Sequence, residues 1–233
     1  MFYVVWEKLE NFDRTITLGL NGSDSLFIDY FAVTATATTT WIPFALAFMV
    51  MIFRANKSRD FVCILLAVTL CVLLADQIAS GIFKPLFARY RPSQDPSMMH
   101  LVDIVNGYRG GKYGFFSSHA SNTVALATFS SLLVRHRSFT VGVFSWVLLN
   151  CWTRIYLGVH FVGDILAGVV CGLLVGVSVY FLLVRCLSRT QNFSNNLIQT
   201  PSGYTHLGIG WVLVVLLLSF IYCVVAGFVL SGL

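Results

Sequence analysis

Six long runs almost free of charge constrain this chain more than any other feature: roughly residues 30 to 53, 61 to 83, 119 to 134, 139 to 156, 162 to 184 and 207 to 230. Each approaches the length of about 20 apolar residues that crosses bilayer hydrocarbon. Backbone polar groups find no water at that depth and must pair within their own segment, so such runs fold as helices. A soluble core of this size would scatter charge along every amphipathic helix. Here 57% of residues are hydrophobic and 11% charged, and the charges bunch between the runs. The expectation is an all-α bundle of six transmembrane helices, one domain over residues 1–233, with the third run the shortest.

The first segment, residues 1–29, opens "MFYVVWEKLENFDRTITLGLNG", with apolar residues at helical spacing among acidic and basic ones. That pattern predicts an amphipathic helix lying along the membrane surface, and a signal peptide would carry its charge first. The loops "RANKSRD" and "RHR" and the segment with Arg185 and Arg189 are charged almost wholly by Lys and Arg, which marks them cytoplasmic. Both termini and the loop from Lys84 to Ser118 then lie outside. That loop is itself basic, against the positive-inside rule, unless its cations serve an anionic ligand. Residues 188–206 have linker composition, and Asn192-Phe193-Ser194 matches a glycosylation pattern on the cytoplasmic side, where it would be inert.

The six cysteines, Cys63, Cys71, Cys151, Cys171, Cys186 and Cys223, fall in or beside apolar runs without CxxC spacing or nearby His clusters, so they read as packing residues. No metal site and no cofactor are expected. The net charge of +5 sits in short loops between helices, which suits orientation in an anionic bilayer and not nucleic-acid binding.

Three polar clusters interrupt the apolar pattern, each at a run's end: "KPLFARYRP", "FFSSHAS" and "TRIYLGVHFVGD". Alternating crossings bring all three to one membrane face. Lys84, Arg91 and Arg154 then converge without a comparable acidic cluster. A phosphate fits, because guanidinium forks match its oxygens and a helix beginning near Ser117 and Ser118 offers free N–H groups. Two histidines, His119 and His160, flank that position, with Asp164 one helical turn beyond His160. One imidazole can attack phosphorus while the other protonates the departing oxygen, and a carboxylate can hold its partner in the reactive tautomer.

The joint spacing resembles the type 2 phosphatidic acid phosphatase family, membrane lipid phosphatases that share their site with vanadium haloperoxidases. Its signature is a lysine six residues before Arg-Pro, then Pro-Ser-Gly-His, then Ser-Arg with a histidine after five residues and an aspartate after three more. Lys84 and Arg91-Pro92 match the first part, Ser117 and His119 the second, and Arg154, His160 and Asp164 the third. Phe116 and Ser118 replace the proline and glycine of the second part, and Thr153 the serine of the third. The resemblance spans residues 84–164, the catalytic region, and leaves the N-terminal helix and the additional C-terminal helix at 207–230 outside it. It implies metal-independent hydrolysis in which His160 attacks phosphorus, Asp164 orients it, His119 acts as general acid and then base, and Lys84, Arg91, Arg154, Ser117 and Ser118 bind the phosphate.

The substrate expected on this reading is a lipid phosphate or diphosphate: an isoprenoid diphosphate carrier, phosphatidylglycerol phosphate, phosphatidic acid or lipid A, at the outer side of a bacterial inner membrane. Two alternatives are a lipid-to-lipid phosphotransferase and a transporter or binding protein for anionic lipids, the latter disfavoured by the two histidines. Asp76, about two turns before Lys84, is expected to face the bundle and find a donor, either beside the site or as a structural pair. His100, Asp103, Arg109 and Lys112 read as a solvated loop, His136 and His206 as interfacial residues. Gly168, Gly172 and Gly176 share a face with Asp164 and predict a close helix contact that turns Asp164 inward.

Overall fold

The computed structural model describes residues 2–187 and 202–232, with side chains from residue 7 onward. Arg189 and the Asn192 pattern lie outside the described residues. The chain forms α1 (Phe2–Leu20), α2 (Leu26–Thr36), α3 (Ile42–Ala55), α4 (Ser58–Asp76), the short α5 (Lys84–Phe87), α6 (Ser118–Val134), α7 (Arg137–Tyr156), α8 (Val162–Leu187) and α9 (His206–Ser231). Among the described residues there is no strand, only one isolated bridge between Tyr90 and Tyr113. By length and composition, Thr38–Ala55, Ser58–Phe87, Val162–Leu187 and His206–Ser231 can each cross a membrane.

The run from 30 to 53 forms two helices joined by a tight turn. Helix α2 stops at Ala37, a short 3-10 turn covers Thr38–Trp41, and α3 resumes with Pro43 in its first turn, where its missing N–H costs nothing. The carbonyls freed by the break are not left bare. Thr40 Oγ1 donates to Thr34 O at 2.7 Å and Trp41 Nε1 to Ala35 O at 2.9 Å, which satisfies them. Helix α9 runs antiparallel alongside, with Phe228 against Phe27 and Phe220 against Trp41 at centroid distances of 4.4 and 5.4 Å.

Helix α6, the shortest run, is the centre of the bundle. Its apolar pattern is weak because nearly every side is buried and carries small or hydroxyl residues, among them Ala120, Ser121, Ala125 and Thr128. Helix α8 lies directly on it. A Cβ on Gly168, Gly172 or Gly176 would sit 2.6–2.7 Å from the carbonyl oxygens of Ser117, Ser121 and Ala125, so the glycine stripe sets the α6–α8 separation. Small residues of this kind let backbones approach where lipid supplies no hydrophobic drive.

One end of the bundle gathers the end of α4 with α5, the start of α6, the end of α7 and the start of α8. The basic turns at Asn56–Lys57 and Arg135–His136 lie at the other end, where His136 and His206 meet edge to face at 5.3 Å.

Candidate active site

Lys84 owes its aim to the segment before it. Residues Gln77–Phe83 form a π-helical stretch, a wider winding that rotates α5 relative to α4 and recurs at functional positions. Asp76, Ser80 and Lys84 then stack at four-residue intervals: Lys84 Nζ donates to Ser80 Oγ at 3.1 Å, and Ser80 Oγ to Asp76 Oδ1 at 3.4 Å. Asp76 is half-buried and accepts from Ser80 in this relay. Lys84 Nζ also donates to Ser118 Oγ at 3.0 Å, the side chain standing where the family motif has glycine.

Ser117 is the N-cap of α6. Its hydroxyl accepts from Ala120 N, its own N–H donates to Asp164 O at 3.1 Å, and it is fully buried. Ser117 fastens the start of α6 to α8, and of the pair only Ser118 turns its hydroxyl to the lysine.

Arg91 and Arg154 are 8% and 2% exposed. Arg91 donates to Tyr113 O at 3.2 Å and to Val159 O at 3.4 Å. Arg154 donates to Thr36 Oγ1 at 2.7 Å and to Tyr108 OH at 3.1 Å. All of these partners are neutral. Burial and then the charge of Arg154 push the Arg91 guanidinium below its ordinary pKa. The Tyr108 phenol is lowered as well: burial acts upward on it, but Arg154 and its hydrogen bond, with Arg91, prevail. Isolated buried charge is costly, so three cations held by neutral groups make a standing demand for an anion.

The turn from Leu157 to Phe161 sets His160. Val159 N and His160 N donate to Arg154 O at 3.1 and 3.2 Å, folding the chain back over the end of α7. The ring is 1% exposed, and no well-formed hydrogen bond reaches either nitrogen. Its nearest carboxylate is Asp164 Oδ2, 3.4 Å from Nδ1, and the Gly114 carbonyl also approaches the ring. Burial, then Arg91, Arg154 and Lys84, hold this imidazole well below the usual histidine pKa, hence neutral. His119, the second residue of α6, is partly exposed and within electrostatic reach of Arg154, His160, Arg91 and Lys84. All three sequence clusters therefore meet in one place.

Asp164 is completely buried, and its partners include one that the spacing did not single out. Oδ1 accepts from Arg89 Nη1 at 2.8 Å, while Oδ2 accepts from Phe161 N at 3.1 Å. Arg89 also pairs with Asp13 of α1 at 2.8 Å and lies 4.0 Å from the Phe161 ring centroid. Burial weakens the charged form of Arg89, but Asp164 and Asp13 outweigh it and raise its pKa. Arg89 is thus a neutralised cation beside three that are not. A second arginine in "KPLFARYRP" was the only trace of it in the sequence. Tyr108 and Thr36, which hold Arg154, left none.

The pattern of the PAP2 superfamily matches residues 60–188, which hold all three clusters. The chain belongs to the PAP2 superfamily. Among PAP2 relatives, the Lipid A 4'-phosphatase of Porphyromonas gingivalis is 40% identical over 183 residues, 78% of this chain and 78% of that protein. The Lipid A 4'-phosphatase of Bacteroides thetaiotaomicron is 35% identical over 187 residues, 80% of this chain and 83% of the relative. The fold matches the crystal structure of a transmembrane PAP2 type phosphatidylglycerolphosphate phosphatase from Bacillus subtilis, with a TM-score of 0.58, 21% identity, and 80% and 90% of the two chains covered. This PAP2 chain is an integral membrane hydrolase acting on a lipid phosphate.

Proposed function

We propose that this chain removes a phosphomonoester from a glycolipid of the lipid A class through a phosphohistidine on His160. The observation that carries the site assignment is the set of three cations, the half-buried Lys84 and the buried Arg91 and Arg154, whose direct hydrogen-bond partners are neutral groups, around a neutral imidazole. The two lipid A phosphatase relatives, matched over most of their length, support the substrate class.

In this reading the phosphate sits among Lys84, Arg91, Arg154 and Ser118, whose charge neutralises its equatorial oxygens. His160 Nε2 attacks phosphorus; a P–N bond forms as the P–O bond to the lipid breaks, and the proton on Nδ1 faces Asp164. His119, whose protonated form the negative charge of the bound phosphate favours against burial and the surrounding cations, gives its proton to the departing alkoxide. It then takes one from a water that attacks the phosphohistidine, so the P–N bond breaks and inorganic phosphate leaves. The arrangement uses protein cations where other phosphatases use metal ions. Hydrolysis and not binding alone accounts for both histidines.

The crossing count of six, with α6 and α7 spanning among the four long apolar helices, belongs to the same proposal. So does an outward-facing site in the bacterial inner membrane, supported by basic turns at the opposite end. A cysteine replacing Gly111, in a background without native cysteines, should react with an impermeant thiol reagent in intact cells, and one replacing Ser58 should not; the reverse pattern inverts the topology.

The substrate is tested by phosphate release from the detergent-purified chain over lipid A, phosphatidic acid, phosphatidylglycerol phosphate and an isoprenoid diphosphate. Lipid A should give the highest kcat/KM. Turnover of an isoprenoid diphosphate with none of lipid A would overturn the assignment.

A further inference from the structure

Helix α1 lies outside the segment that the superfamily pattern matches, yet it touches the charged network of the site. The reason begins with the start of α8. A helix leaves its first N–H groups without partners, and the residue before this one, Phe161, has no side chain able to accept from them. Two of the orphans are taken from α1. Val162 N donates to Thr17 Oγ1 at 3.1 Å and Gly163 N to Asp13 Oδ1 at 2.8 Å. Thr17 is fully buried, and a Cβ on Gly163 would stand 2.8 Å from Asp13 Oδ2, so the fit leaves no room.

Asp13 thereby has one oxygen on the start of α8 and the other on Arg89 Nη2, at 2.8 Å each. Arg89 passes its second nitrogen to Asp164 Oδ1 at 2.8 Å, and the other oxygen of Asp164 faces His160 Nδ1 at 3.4 Å. The chain of contacts is hydrogen-bonded from α1 as far as Asp164 and reaches the histidine as a 3.4 Å approach. It is also stiff: Asp13, Arg89 and Asp164 are 16%, 28% and 0% exposed, and Arg89 is pressed on the Phe161 ring. Just past the end of α1, Asn21 donates to Tyr156 O at 2.7 Å and to Asp103 O at 3.1 Å. Asp13 and Thr17, spaced by four, make the inward face of α1 polar, while Leu9 and Phe12 are exposed.

We infer that Asp13 and Arg89 are positioning residues for the hydrolysis, locking the Asp164 carboxylate so that it holds His160 in its reactive orientation, and that α1 is part of the catalytic apparatus. The two residues touch neither the phosphate nor the reacting atoms; they act through Asp164. Carboxylates that orient an imidazole work only while they are themselves held, and the two donors to the Asp164 carboxylate are Arg89 Nη1 and Phe161 N, the latter next to the α8 start that Thr17 and Asp13 cap.

This rests on His160 as nucleophile, and the test separates the two. Full-length protein carrying Asp13→Asn, Arg89→Gln, Arg89→Lys, or Asp13→Asn with Arg89→Gln is compared with wild type. The readouts are kcat, KM, vanadate inhibition and the rate of phosphohistidine formation, each per folded molecule. Asp13→Asn keeps the shape and the acceptor for Gly163 N but withdraws the charge from Arg89.

The expected result is a kcat lower by about 10- to 100-fold, with phosphorylation slowed in step. KM should stay within about twofold and vanadate should still inhibit, because the phosphate cradle is untouched. Arg89→Lys should recover much of what Arg89→Gln loses, and the double variant should be little worse than Arg89→Gln alone, as residues acting as a unit are. Wild-type kcat in folded Asp13→Asn, a loss confined to KM, or losses that multiply in the double variant would each overturn the inference. Lower thermal stability with unchanged kcat would reduce α1 to a structural strap and also overturn it. A wild type that forms no phosphohistidine would instead refute the nucleophile assignment.

Discussion

His160 Nδ1 and Asp164 Oδ2 stand 3.4 Å apart, both buried, one on the turn that closes α7 and the other in the first turn of α8. The carboxylate is therefore fixed by a helix start and the imidazole by a folded-back loop. Their relation survives only if both are held. Asp164→Asn should keep phosphate binding but present the wrong hydrogen-bond character to Nδ1. Turnover should fall by about 10²–10⁴-fold with KM little changed, read by steady-state kinetics.

Stability should carry the signature of the same histidine. Folded His160 stays neutral because burial, then Arg91, Arg154 and Lys84, lower its pKa, whereas the unfolded chain binds a proton there below about pH 6.5. With more protons bound in the unfolded state, stability falls as pH drops below that value, by up to about 1.4 kcal/mol per pH unit. His160→Gln should flatten the thermal stability profile between about pH 6.5 and 5. Parallel profiles for the two proteins would show that His160 does not titrate as described.

The α6–α8 contact should tolerate no added volume. In Gly172→Val a Cβ would meet Ser121 O at 2.6 Å and the Val124 Cβ at 2.7 Å, so the helices must part, at a cost of about 1–3 kcal/mol. Gly210, in α9, has nothing within 4 Å of the same position, and Gly210→Ala serves as the control, expected neutral or slightly stabilising. Thermal unfolding in detergent measures both.

The all-helical membrane architecture and the convergence of Lys84, Arg91, His119, Arg154, His160 and Asp164 were legible because length, charge placement and alternation of crossings act on sequence directly. The glycine stripe was legible for the same reason: its period is that of the helix. The break at Ala37 was not, since a run of threonines stays apolar enough to hide it and its repair depends on Thr40 and Trp41 folding back. Nor was Arg89. Its importance comes from Asp13, 76 residues away, and no local spacing encodes that meeting. Helix α1 was expected at the membrane surface; the polar stripe of Asp13 and Thr17 was the missed sign that it also docks on protein.

Turnover should survive chelation. Among the described residues no three His, Cys, Asp or Glu side chains gather as a metal site, and the charge that a metal would supply is present in Lys84, Arg91 and Arg154. Phosphate release should be unchanged in EDTA and blocked by vanadate, which can take up the trigonal bipyramid at His160. Loss of activity in EDTA with recovery on adding magnesium would contradict this.

The most direct test of the phosphohistidine account is to trap it. Given a radiolabelled activated aryl phosphate, whose leaving group needs little protonation, His119→Ala should still phosphorylate His160 but should lack the base that activates water. Quenched samples of His119→Ala should therefore hold an acid-labile, base-stable label that accumulates beyond the wild-type level, and His160→Ala should hold none. Label retained in His160→Ala would contradict the account.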